Sequence, residues 1–176
     1  AQEITAEGSA RLIPGARVFV SRPNAPVPVR MEFNQQAFAN GLTEHVVQTI
    51  VALVSRQDTN GLNIREVGRS LYLSLREHEI LKPHGRIYRQ IKVKLVTYQG
   101  QPPSPEPYAA GAGELIEQPT HRLTVDAEGR IRIETAPAHP RGGGWLEEAL
   151  NEYQTMSEAF EQGIPTAYPV AVGEFP

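Results

Sequence analysis

Residues 63–94, NIREVGRSLYLSLREHEILKPHGRIYRQIKVK, hold eight basic side chains (Arg65, Arg69, Arg76, Lys82, Arg86, Arg89, Lys92 and Lys94) against three acids (Glu66, Glu77 and Glu79). Clustered guanidinium and ammonium groups do two kinds of recognition chemistry. With an aromatic between them they hold phosphates and stack a base. They also pair with carboxylates, for which the arginine fork is bidentate. A helix advances about 100° per residue. At that step Arg65, Arg69, Tyr72 and Arg76 fall on one ridge, away from Ile64, Val67, Leu71 and Leu75. Lys92 and Lys94 follow on the outer face of an alternating run. These six residues form the candidate binding set. An ordinary solvated helix face carries the same pattern.

Residues 142–176 are the counterweight, with six acids (Glu147, Glu148, Glu152, Glu158, Glu161 and Glu174) and no Lys or Arg. Opposite potentials steer association and fix register. The basic segment is therefore expected to meet the acidic one, in the same chain or a neighbour, before it meets nucleic acid. The net charge of −3 points the same way, because dedicated nucleic-acid proteins usually carry a basic domain.

Other chemistries have weaker support. His78 and His84 lie near Glu77 and Glu79 in REHEILKPHG, but Pro83 breaks the helical spacing that HExxH requires. His45, His121 and His139 are isolated. GAGELI at 111–116 lacks the third glycine of a dinucleotide fingerprint, and there is no GxxxxGK[ST] or GxSxG. GGGW at 142–145 reads as a hinge before a helix. There is no Cys, which removes disulfides and thiolate chemistry. Nothing nominates an acid, base or nucleophile, so neither an enzyme nor a cofactor or metal is expected.

The elements that must position these residues follow from periodicity. The 176 residues, 40% hydrophobic and 21% charged, suit one folded domain with arms. Residues 16–33 read as a hairpin in which Val27, Val29, Met31 and Phe33 alternate with Pro28, Arg30 and Glu32. Pro28 cannot donate to a ladder, so the second strand is expected at a sheet edge. Residues 34–56 read as helical, interrupted at Gly41-Leu42-Thr43 with Thr43 as an N-cap. A second helix is expected over 63–79 and a half-buried strand over 87–98. Pro102, Pro103, Pro105 and Pro107 mark a long loop. A second hairpin covers 121–134, with Gly129 in its turn, and a terminal helix covers 145–162. The fold class is α+β, with antiparallel hairpins packed on two to three helices. The expected organisation is an arm at 1–15, an α+β core at 16–98, an arm or loop at 99–120, a hairpin plus helix at 121–162 and a tail at 163–176.

MEF at the end of the first hairpin, then VVQTIVALV, IREVGRSLYLSL and GRIYRQI, give residues 16–95 a distant resemblance to the ATP-cone, a regulatory nucleotide-binding domain. That resemblance implies nucleotide sensing. The chain departs from it where a basic residue commonly follows the Phe, because Phe33 is followed by Asn34, Gln35 and Gln36.

The leading expectation is a non-catalytic structural subunit of a homo- or hetero-oligomeric assembly, such as a virus or phage particle. Its arms would grip neighbouring copies or other subunits through Val27, Val29, Tyr168, Val170 and Phe175. A nucleic-acid-binding accessory protein is the second expectation and a nucleotide-sensing domain the third. No signal peptide or membrane-length apolar run is visible, which suits the cytoplasm or a virion.

Overall fold

A computed structural model describes residues 12–57, 59–67, 70–94, 104–107, 109–110, 114–115, 120–136, 140–141 and 146–175. In chain order the elements are strands β1 (Ala16–Arg22) and β2 (Val29–Asn34), helices α1 (Gln35–Ala39) and α2 (Glu44–Val54), and strands β3 (Ile64–Val67), β4 (Ser70–Ser74) and β5 (Gln90–Lys94). They continue through short strands β6 (Ser104–Pro107), β7 (Ala109–Ala110) and β8 (Glu114–Leu115), then β9 (Thr120–Val125), β10 (Ile131–Ala136) and β11 (Pro140–Arg141), to helix α3 (Leu146–Glu161) and strand β12 (Ala171–Glu174). Every strand pair is antiparallel, and the fold is α+β.

The core forms around β2. Its period of two buries Val29, Met31 and Phe33 on one face. They pack with Val46, Val47, Ile50, Val51 and Val54, the apolar stripe of α2. The helical region splits where its residues dictate. Thr43 caps α2, its hydroxyl accepting from the Val46 N–H at 3.2 Å. Gly41 turns at φ 110°, and a Cβ there would lie 2.9 Å from the Ile80 carbonyl oxygen, so only glycine fits.

Two expectations are corrected. The described residues of 63–79 form the antiparallel strands β3 and β4 and then a short 3-10 turn at Glu77–Glu79, with no α-helix among them. Ser70-Leu71-Tyr72-Leu73-Ser74 alternates strictly, which buries Leu71 and Leu73 together. A helix would have spread those two leucines about 200° apart. β2 is also not an edge strand. It lies between β1 and β12, and Pro28 precedes its ladder.

The C-terminal segment completes that sheet. β12 pairs with β2 from Ala171↔Phe33 to Glu174↔Arg30. The sheet's second face carries a smaller core, in which Val172 and Ile13 pack with Leu146, Ala149, Leu150 and Tyr153 of the α3 side. One sheet is thus covered by α2 on one face and α3 on the other. The second three-stranded sheet, β3-β4-β5, turns Leu71, Leu73 and Ile91 into the main core.

Replacing Gly41 by Ala should lower the stability by more than about 1 kcal/mol, because it combines strained backbone with a clash. An unchanged urea midpoint for Gly41→Ala would contradict this packing.

Candidate functional site

Two exposed surfaces stand out once the strands are aligned. The first is the open face of the β3-β4-β5 sheet. Register places Arg65 opposite Tyr72, and Tyr72 opposite Lys92. Directly opposed residues share a face, so these three form one row across the sheet. The Arg65 guanidinium carbon lies 5.3 Å from the Tyr72 ring centroid, and the Lys92 Nζ lies 5.7 Å from it. Val67, Ser70, Ser74, Gln90 and Lys94 occupy the rest of this face. Among the described strand residues it carries no Asp or Glu, because Glu66 alternates to the other side.

Of the six residues in the candidate binding set, the structure brings Arg65, Tyr72 and Lys92 together, by strand pairing in place of helical spacing. Lys94 lies on the same face and forms an ion pair with Glu152 of α3. Arg76 lies beyond β4, where its backbone N–H donates to the Glu79 carboxylate at 3.2 Å. Arg69 lies outside the described residues.

The basic segment meets the acidic segment within the chain at several points. Besides Lys94 and Glu152, Arg86 donates to the carbonyls of Gly163 and Ile164 and lies 5.2 Å over the Phe160 ring. His84 Nε2 lies 3.9 Å from Glu161.

The residues expected to grip neighbours make contacts within the chain. Val29 is buried, and the Val27 N–H donates to the Ser55 carbonyl at 3.0 Å. Tyr168, Val170 and Phe175 pack against the main core. The Tyr168 hydroxyl accepts from Asn40, and its ring lies 4.9 Å from Phe160 and 6.2 Å from Tyr88. Burial raises the Tyr168 pKa, as it raises that of Tyr153 to about 12.

The second surface is the β9-β10 hairpin. Leu123 opposes Ile133 and Val125 opposes Ile131, so all four aliphatic side chains share one face. They are 69–73% exposed. The hairpin's turn is stapled by Asp126, whose carboxylate accepts from the backbone N–H groups of Glu128 and Arg130 and from the side chains of Arg130 and Arg132. The Arg130 N–H and then Arg132 lead in holding its carboxyl below the ordinary aspartate value. Sequence reasoning found this hairpin but missed its apolar face. The signal was present: two period-two runs, LTV and IRI, with their aliphatic residues in register.

A third cluster joins α2 to the turn after β4. Glu79 is 5% exposed, and its Oε1 lies 2.6 Å from His45 Nδ1. Burial pushes its carboxyl up, but the Arg76 N–H and His45 outweigh that and leave it lowered. Among the described residues no group of three His, Asp or Glu is arranged to hold a metal, and no helix is long and apolar enough to cross a membrane.

No family model, curated protein or solved structure matches the chain. The ATP-cone resemblance also called for a helix at IREVGRSLYLSL, where the structure has the β3-β4 hairpin.

A lowered folded-state carboxylate stabilises fully above its unfolded pKa, and the contribution is lost as pH falls through the folded value. Wild type should therefore lose stability relative to Glu79→Gln as pH drops below the ordinary glutamate range. A difference in urea midpoint that stays constant with pH would contradict the lowered value.

Proposed function

We propose that this protein is a non-catalytic subunit of an assembly, and that it meets a second copy of itself through the apolar face of the β9-β10 hairpin. The observation that carries this reading is the exposure of Leu123, Val125, Ile131 and Ile133 on one side of a two-stranded sheet. A two-stranded hairpin alone is marginal in water and gains stability when its apolar face is covered. Its four central residues are aliphatic and uncharged, with His121 and Thr135 at the far end of the same face, so its centre complements itself. A two-fold contact needs the same patch on both subunits.

Magnitudes support a concentration-dependent contact. Fully burying a Val, Leu or Ile side chain is worth about 1.5–3 kcal/mol. Eight such side chains, already about 30% covered, gather at most roughly 8–17 kcal/mol across two copies. This is the same order as the ~4–15 kcal/mol lost in translational and rotational freedom on association. The charged back of the hairpin, with Arg132 and Asp126, stays in water and fixes which face turns inward.

The test is molar mass by light scattering over a wide concentration range. The variant combines Leu123→Lys with Ile133→Glu. The two positions are opposed, so the new charges pair across the strands and preserve the hairpin. Wild type should rise above the one-chain mass with concentration, while the variant holds that mass and melts at the same temperature. A wild type that stays at one-chain mass throughout would overturn the reading, as would a variant that associates equally well.

A further inference from the structure

We infer that the open face of the β3-β4-β5 sheet is a binding site for single-stranded nucleic acid, centred on Tyr72 between Arg65 and Lys92. This site is separate from the hairpin face.

Register, not surface averaging, creates the site. Arg65, Tyr72 and Lys92 occupy consecutive strands in one row. Neighbouring strands lie about 4.8 Å apart, so the two outer backbones in that row are about 10 Å apart. A flat aromatic centre with a cation on each side matches one nucleotide: a base over the ring and its flanking phosphates on the two cations. Sheet faces built this way hold extended single strands, because every base has a π-face and the backbone follows the positive charge. The row also offers hydrogen-bonding groups for base edges, in Ser74 and Gln90 beside it.

The charges are free to act. Lys94 is engaged by Glu152. Arg65 and Lys92 have no ion-pair partner among the described residues, and both lean on the Tyr72 ring. A cation–π contact at an exposed site is worth only about 0.5–1 kcal/mol. Phosphates draw the two cations off the ring and open it for stacking. An acidic peptide would use the same cations but would gain little from the half-buried ring, and this favours a nucleic acid over an acidic protein.

The experiment is fluorescence anisotropy with two labelled probes of equal length, a short oligothymidylate and an oligoglutamate. The oligothymidylate should bind at low salt, with a slope of about −1.4 in log K against log salt for two phosphates. Tyr72→Ala should weaken it about tenfold, within the range for one stacked base, while Tyr72→Phe retains binding. Lys92→Gln, at an exposed position that does not threaten folding, should reduce the slope by about 0.7. Absence of oligothymidylate binding at low salt would overturn the inference. So would oligoglutamate binding as tightly as the oligonucleotide, or a folded Tyr72→Ala that binds as wild type does. Hairpin variants leave this readout unchanged, so failure here is distinct from failure of the assembly reading.

Discussion

The carboxylate of Glu32 is the constraint that ties the fold together. It lies on the middle strand β2 at 2% exposure. It accepts hydrogen bonds from the Leu12 N–H at 2.7 Å and the Ile13 N–H at 3.4 Å, and pairs with Arg30 at 3.2 Å. Arg30 in turn reaches Glu174 of β12 at 2.7 Å and lies 4.6 Å over the Phe19 ring. A buried carboxylate is tolerable only when its lone pairs and charge are met, and removing one partner is strongly destabilising. One side chain therefore makes the segment at residues 12–13, the β1-β2 hairpin and the C-terminal strand interdependent.

That dependence reassigns the tail. The aromatic and aliphatic residues of 163–176 look available for a partner when read as a sequence. In the fold Tyr168, Val170, Val172 and Phe175 pack within the chain, while Ile164 stays exposed. Tyr88 donates its hydroxyl to the Thr166 carbonyl, the Asn34 N–H donates to the Val170 carbonyl, and Val172 closes the smaller core. Strand addition to β2 does occur, but the strand comes from the same chain. Other surfaces lie outside this network. The β9-β10 apolar face and the β3-β4-β5 basic face are two such surfaces.

Much of the fold was legible in the sequence. Alternation marked the β1-β2 and β9-β10 hairpins and β5, and the Thr43 cap marked the start of α2. The helix expected over 63–79 failed for a physical reason. Ile64, Val67, Leu71 and Leu75 satisfy helical spacing, but Leu71, Leu73 and Leu75 also satisfy a period of two, and periodicity alone does not separate the cases in short runs. Gly68 and the β-favouring Tyr72 were the discriminating signals. β12 was illegible because AVGE is short, follows Pro169 and owes its strand conformation to β2. The candidate site was half legible: its residue types were visible, but their neighbourhood depended on a three-strand register that no single segment encodes.

Native-state hydrogen exchange tests most directly whether the C-terminal strand is part of the fold. The amide of Asn34, bonded to Val170, and the ladder amides of β12 should exchange only through global unfolding, at the same free energy as the β1-β2 ladder. Fast exchange in Ala171–Glu174 while β1-β2 stays protected would mean that the tail detaches alone, and would return it to the role of a free arm.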